Sequence, residues 1–472
     1  MNTNSSQAPE VCLPEQINPK TKWLIIIVSI LFYFAFTQLL TFDTLSLEGQ
    51  KAIALAIIVV CFLLFEVLPM PVTAIMAVLM VPVLGIADQK AAFSNFTIGA
   101  MFFVFGVFIL AVGFSETGIG YRISTWVSTH AGTNTKRVIL VYMLVVGAVS
   151  SLLADIPTAV IFGVLAHELL LLNNCSPLCS NFGRSLMIAI PVAATIGGIG
   201  TPAGGALNIM TISILENLTG VRITFLQWSA IGLPFAFVLL VLVWALLIRI
   251  FPPEIATIVP IEKESTPLTA KERKFLIVFL AMILLWITES VHHIPLWTVA
   301  VGGSALLFLP GIDVLSWGKV RNSAEMNHEV PILIGGTNVV AVVLSQTEAA
   351  SWIANGIFGN FGSSLLPILI LVALLSVYGH YLIPSSTALI AVLVPIVAAF
   401  AMTANYSPVI LGFLTCLGAH LTMLLPQSDP VSLATFNHGW WEMKDMIKVG
   451  WISSIVWIPI SVLTAALMLL FW

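Results

Sequence analysis

The chain has 472 residues, 59% of them hydrophobic and only 8% charged, with a net charge of −4. A soluble domain carries about 25% charged residues, so an ordinary soluble domain is excluded, and a small acidic excess spread over loops argues against nucleic acid. Five cysteines (Cys12, Cys61, Cys175, Cys179, Cys416) make no disulfide framework; Cys175 and Cys179 share a loop and read as isolated thiols rather than a metal pair.

The first 20 residues are polar and lack the basic start and short apolar core of a signal peptide. The first apolar run, 23–40, therefore reads as an anchor that stays. Runs of the length that a membrane helix needs recur to the end of the chain. Spans are expected near 23–41, 51–68, 71–87 and 98–120, then a hairpin near 138–172, an interrupted span at 185–218 and a span at 226–250. A polar linker with Lys263, Lys271, Arg273 and Lys274 follows. Beyond it come 275–291, 296–311, 330–357, a hairpin near 363–403, an interrupted span at 408–437, and 449–471. That gives about 11 transmembrane helices plus two re-entrant hairpins. The expected division is a tail with the first helix (1–44), a first repeat (45–250), a linker (251–274) and a second repeat (275–472).

Orientation follows from the excess of Lys and Arg in cytoplasmic loops. With the N-terminus cytoplasmic, fourteen cations fall inside, and only Lys51, Lys90 and Arg222 outside.

The stretch 195–208 reads TIGGIGTPAGGALN, with five glycines among residues 197–205. Glycine and proline in a helix interior cost roughly 1 and 3 kcal/mol against alanine, so the helix should unwind here. Unwound backbone in a bilayer survives only where protein buries it or where it lines a wet cavity. The two halves also repeat: 68–88 parallels 294–313, FSETG (114–118) parallels LSQTE (344–348), and IPTAVI (156–161) parallels SSTALI (385–390). Five crossings per repeat is odd, so the second copy should be inverted. Inverted repeats with broken helices point to a secondary transporter with its site at the midplane.

The polar residues at that midplane are few. One hairpin tip carries Asp155, Pro157 and Thr158, the other Ser385, Ser386 and Thr387. The breaks carry Gly200, Thr201, Pro202 and Asn208, and Gln427, Ser428, Asp429 and Pro430. Helix N-termini opening there supply free N–H groups and a partial positive charge, which suits a carboxylate. Unwound carbonyls and helix C-termini suit a small hard cation. The expected anion contacts are Thr158, Thr201, Pro202, Ser385, Ser386, Thr387, Ser428 and Pro430; the expected cation contacts are Asp155, Gly200 and Asp429. Capping and interhelical hydrogen bonding stand as the alternative for each. A carboxylate at a membrane helix centre costs about 2.5–3.5 kcal/mol, so Asp155 should bind a cation, carry a proton or cap a helix. His380 and His420 lie near the second tip and break, and read as core histidines or as substrate or proton contacts. His167-Glu168 lacks the second histidine of a zinc motif, since Leu171 stands there.

With these residues in view, the sequence from about 45 onward resembles the divalent anion:sodium symporter family. That family has two inverted five-helix repeats, each with a hairpin tipped by Ser-Asn-Thr, and broken helices with Thr-Pro-type motifs. Ser385-Ser386-Thr387 matches the second tip with Ser386 in place of Asn. Thr201-Pro202 fits the first break, and Ser428-Asp429-Pro430 fits the second loosely. Ala154, Asp155 and Ile156 stand where the first Ser-Asn-Thr is expected, with Thr158 fitting a threonine two residues on. The resemblance implies an all-α transporter of small organic dianions, C4-dicarboxylate-like, in a homodimer with an elevator-like motion. It also implies sodium as the coupling ion, with no other cofactor.

The alternatives are a sodium-independent exchanger, a proton-coupled carrier or a sulfate transporter. One charge crossing 100 mV is worth about 2.3 kcal/mol, so a dianion entering an interior-negative cell costs roughly 4.6 kcal/mol. Uptake then needs more than two cations per dianion, or exchange. An enzyme is not expected, since no Ser/Lys, paired-Asp or H-E-x-x-H set is recognisable. The location expected is the inner cell membrane, in a multi-pass arrangement.

Overall fold

The computed structural model describes residues 18–42, 44–261, 267–323, 325–358, 364–426 and 429–470. Among them, the only strand-like pairing is an isolated bridge between Asn134 and Thr257; the rest is helix and connection. Ser428, Gln427, Lys263 and Cys12 lie outside the described residues.

The first half runs α1 (Pro19–Phe34), α2 (Leu47–Leu64), α3 (Met70–Val83), α4 (Gln89–Phe96), α5 (Gly99–Thr117), α6 (Ile119–His130), α7 (Thr135–Ser150), α8 (Asp155–Leu172), α9 (Asn181–Gly198), α10 (Ala206–Thr219) and α11 (Phe225–Ile250). The second runs α12 (Ala270–Ile287), α13 (Glu289–His292), α14 (Leu296–Leu306), α15 (Trp317–Asn322), α16 (Glu329–Gln346), α17 (Ala349–Phe358), α18 (Leu365–Tyr378), α19 (Ser386–Thr403), α20 (Pro408–Ala419), α21 (Pro430–Phe436) and α22 (Met443–Met468). Among the described residues, eight helices are long and apolar enough to span a membrane, and shorter apolar helices accompany them at Met70–Val83, Leu296–Leu306, Leu365–Tyr381 and Pro408–Leu424. The short ones are short for a reason: two belong to a hairpin or a broken pair, which stops partway.

The element order of α2 to α11 returns in α12 to α22, α13 aside. Asp155 and Ser386, which open α8 and α19, are 231 positions apart, and Gly99 and Glu329, which open α5 and α16, are 230 apart. The packing follows suit. α5 lies along α14 as α16 lies along α3; α7 and α8 pack on α9 as α18 and α19 pack on α20; α8 pairs with α21 as α19 pairs with α10. α11 and α22 pack on each other.

The span expected at 330–357 divides in two, whereas that expected at 98–120 is one helix, α5, followed by a further helix, α6, where no span was expected. Gly118 ends α5 with φ +78°, the left-handed conformation that glycine adopts without a Cβ penalty. The matching break between α16 and α17 uses Glu348 at φ +60°, a residue type that gives no such warning. Each half therefore has a short helix, α6 or α17, leading from the α5 or α16 end into its hairpin.

Several contacts break the correspondence. α19 and α10 both pack against α16, and α10 also against α5, while α8 meets α5 only marginally.

Candidate functional site

The first break is real and buried. α9 stops at Gly198, α10 starts at Ala206, and residues 199–205 between them are non-helical and buried. The glycines earn their places by close approach. A Cβ on Gly197 would collide with the backbone of Gly147 on α7, and one on Gly204 would collide with Gly198. Pro202 sits inside this loop.

Side chains then satisfy the carbonyls that the unwinding frees. Asn208, fully buried, donates from Nδ2 to the Gly198 carbonyl and to the Thr201 carbonyl, both at 2.7 Å. Trp228 on α11 donates from Nε1 to the Ile199 carbonyl at 3.0 Å. The Thr201 hydroxyl donates to the Ser151 carbonyl at the first hairpin tip and accepts from the Ala203 amide at 3.1 Å. Gly200 donates from its amide to the Gly197 carbonyl at 2.8 Å.

The second break is built alike. α20 ends at Ala419, a single tight turn covers Thr422–Leu424, and α21 opens at Pro430. Trp457 on α22 donates from Nε1 to the Leu417 carbonyl at 2.8 Å, the counterpart of Trp228 at the first break. Asp429 caps α21: its carboxylate accepts from the Val431 amide at 3.4 Å and from the Ser432 amide and hydroxyl at 3.1 and 2.6 Å. Pro430 takes the first helical position, where its missing N–H costs nothing.

At the tips the two halves differ. In the first, the Thr158 hydroxyl donates to the Leu153 and Ala154 carbonyls, both at 3.0 Å. Asp155 opens α8, half-buried, and accepts from the Ile156 amide at 2.9 Å. In the second, Ser385 caps α19, accepting from the Ala388 amide at 3.3 Å. Among the described residues, neither Ser386 nor Thr387 uses its side chain in a hydrogen bond, and both are half-buried.

The four pieces meet. α8 and α21 run side by side in the same direction, with Gly163 against Thr435 and with Asp155 and Asp429 close enough to interact electrostatically. The two breaks touch through His420, whose Nε2 lies 3.3 Å from where a Cβ on Gly205 would stand. The His420 ring donates from Nδ1 to the Cys416 carbonyl at 2.8 Å, and the Cys416 thiol donates to Asn208 Oδ1 at 3.5 Å. His380, near the second tip, reaches the Ala419 carbonyl at 3.0 Å through Nε2. A polar chain thus runs from the second tip through both breaks to the first tip. His380 and His420 are part of it.

Thr158, Thr201 and Asp429 are each occupied by backbone groups and hold the site's shape. Ser386 and Thr387 have capacity left over, and so do the carboxylates of Asp155 and Asp429. Among the described residues no lysine or arginine enters this region; the N-termini of α8, α10, α19 and α21 open there, those of α8 and α21 beside the carboxylates of Asp155 and Asp429. The indoles of Trp228 and Trp457 went unremarked in the sequence, although their 229-residue separation repeats the offset of the halves. The His167 ring sits against His438 at 5.0 Å and accepts from Trp440 Nε1 at 2.7 Å. Among the described residues no group of three or more His, Cys, Asp or Glu could hold a metal.

Residues 20–472 match the family profile described as the sodium:sulfate symporter transmembrane region. A protein of Staphylococcus saprophyticus named sodium-dependent dicarboxylate transporter SdcS is 26% identical over 453 residues, covering 89% of this chain and 86% of its own. A Staphylococcus aureus protein of the same name is 24% identical over 440 residues, covering 86% and 84%. Among solved structures, the YdaH transporter of Alcanivorax borkumensis superimposes with a TM-score of 0.55 at 13% identity, over 80% of this chain and 87% of its own. MtrF of Neisseria gonorrhoeae gives 0.55 at 16%, over 85% and 96%. At these identities the two structures speak to the fold alone.

Proposed function

The chain belongs to the sodium:sulfate symporter family, and on that premise we propose that it is a secondary transporter of a small organic dianion, C4-dicarboxylate-like, coupled to sodium. The observation that carries this reading is the meeting of two hairpin tips and two buried helix breaks, where several helix N-termini face one place without a basic side chain. One helix terminus contributes only about 0.3–2 kcal/mol toward an anion, so convergence of several is what makes a dianion site. In this reading Ser385, Ser386 and Thr387, with the Thr201 amide, receive the carboxylates, and Pro202 and Pro430, which carry no N–H, line the place beside them; Ser428 would join them. Thr158 positions the first tip. Asp155, Asp429 and the Gly200 carbonyl receive the cation.

The elevator-like motion rests on the unequal packing. α7–α11 and α18–α22 form the moving body, α2–α5 and α12–α16 the fixed one, with α6 and α17 as arms. α19 and α10 lie on α16 here; moving the body along α5 and α16 would exchange this for the matching contact of α8 and α21 with α5. With the N-terminus cytoplasmic, as the distribution of Lys and Arg favours, α10 and α19 point outward, and the arrangement seen is the inward-displaced one. A homodimer in the inner cell membrane, with no enzymatic activity, completes the proposal.

The test is uptake of labelled succinate into liposomes holding the purified protein. An inward sodium gradient should drive it without internal anion. Uptake that proceeds only with internal dicarboxylate would replace symport by exchange. Uptake driven by a proton gradient alone would favour proton coupling, for which the neighbouring carboxylates Asp155 and Asp429 are suited.

A further inference from the structure

Polar contacts between the two bodies are concentrated at the end of α10 remote from the break, and they rest on two buried scaffold side chains. Glu289, on the short helix α13, is 3% exposed. Its Oε1 accepts from Arg222 Nη2 at 2.5 Å and its Oε2 from the Phe225 amide at 3.1 Å, so both oxygens are held by the connection between α10 and α11. Asn338, in the middle of α16, is fully buried. Its Nδ2 donates to the Asn95 carbonyl of the same body at 2.8 Å. Its Oδ1 accepts a longer bond, 3.4 Å, from Asn217 Nδ2 at the end of α10. One residue before it, the Thr337 hydroxyl lies 3.9 Å from the Met210 sulfur, again on α10. A cavity of about 330 Å³ opens beside this strip, lined in part by Glu216, Asn217, Arg222 and Glu289.

The first half has little to match it. At the offset of 230 that separates α5 from α16, Thr337 corresponds to Val107 and Asn338 to Phe108. Only Glu289 has an acidic counterpart, Glu66 beyond the end of α2, and its side chain is exposed. Motion that brings α8 and α21 onto α5 would thus trade amide and carboxylate contacts for apolar ones. It would also take from the Glu289 carboxylate both of its partners, Arg222 and the Phe225 amide, and breaking a buried ion pair is strongly disfavoured.

We propose that Glu289 with Arg222, and Asn338 with Asn217, form a latch on the outer side that makes the arrangement seen the resting one. The latch rests on the moving-body reading above and goes beyond it by fixing which arrangement dominates and which side chains hold it. It acts on the equilibrium between arrangements and touches neither substrate nor coupling ion.

The experiment measures distances between spin labels on unnatural residues at exposed positions 90 and 221, one on each body, in the full protein in liposomes. The unmodified chain should show one dominant distance, with a minor second one that grows when sodium and succinate are present. Arg222→Gln and Asn217→Ala change exposed or half-exposed residues and should leave the fold intact. A net hydrogen bond contributes roughly 0.5–1.5 kcal/mol, so Asn217→Ala should shift the population ratio about two- to tenfold toward the second distance. Arg222→Gln should shift it at least as far, and Asn338→Leu combined with Asn217→Ala no further than Asn338→Leu alone. Two distances in an unchanged ratio in Arg222→Gln and Asn217→Ala would overturn the latch while leaving the motion intact. A single distance in every variant, with and without sodium and succinate, would overturn the motion and the latch with it.

Discussion

Replacing Asn208 by leucine removes the clasp of the first break while keeping the number of side-chain heavy atoms. Leucine offers no donor, so the Gly198 and Thr201 carbonyls each lose a bond of 2.7 Å in a fully buried place. The last carbonyls of a helix have no partner within it, so the Gly198 carbonyl is orphaned at a cost of about 1–3 kcal/mol, while the Thr201 carbonyl keeps the Gly204 amide at 3.1 Å and loses one net bond of about 0.5–1.5 kcal/mol. The loop 199–205 can relieve that cost only by moving, which displaces the Thr201 amide, Pro202 and the opening of α10. If the lower sum, about 1.5 kcal/mol, is taken from the bound state, succinate Kd rises about tenfold. Asn208→Asp should act in the same direction, because it keeps an acceptor toward Cys416 but loses both donated bonds. The assay is succinate binding by calorimetry in saturating sodium, on protein that elutes as one species. A Kd and a sodium dependence within twofold of the unmodified chain would show that Asn208 does not hold the site, and the reasoning would fail.

Asp155→Asn should weaken the sodium dependence of succinate uptake while α8 still forms; an unchanged sodium titration would reduce Asp155 to a helix-opening residue. Gly197→Ala should lower the melting temperature, because its Cβ meets the Gly147 backbone and overpacking a tight contact costs about 1–3 kcal/mol. Gly302→Ala, with nothing within 4 Å, is the control, and equal melting temperatures for the two would contradict the packing argument. Glu254, in the linker, is pushed up by burial, but the Ser180 hydroxyl and the backbone amides of Phe182 and Asn181 outweigh that and hold it below its usual 4.5. Such a group stabilises the fold above its unfolded value, and that contribution fades as pH falls through the depressed one. The melting temperature should therefore drop more steeply below pH 4.5 in the unmodified chain than in Glu254→Gln, as scanning fluorimetry across pH 3–6 would register.

Much of this architecture can be read from residue types alone, and the reasons are specific. Glycines at 197, 198, 200, 204 and 205 announce a backbone that must unwind and approach its neighbours, and the structure breaks there. The hairpins show as apolar runs too long for one crossing with polar residues at their middles, and the polar linker separates the halves. Hidden instead was the bend between α16 and α17, since Glu348 adopts a left-handed backbone without glycine's signature. The role of each hydroxyl was hidden too. Thr158 and Thr201 donate to carbonyls of the tip, and the Asp429 carboxylate caps its own helix while keeping lone-pair capacity for a cation. Only geometry separates these from Ser386 and Thr387. The fixing of the breaks by Trp228 and Trp457 is a long-range effect, visible in sequence only as two tryptophans at the offset of the repeat.

The central claim is that cation and dianion meet at one place built from both halves. Sodium titration of succinate binding, with the reciprocal titration of sodium binding by succinate, tests it most directly. Linkage requires the two ligands to raise each other's affinity by the same factor, and the account predicts a factor well above tenfold that collapses in Asp155→Asn. Succinate binding of equal strength with and without sodium would contradict it.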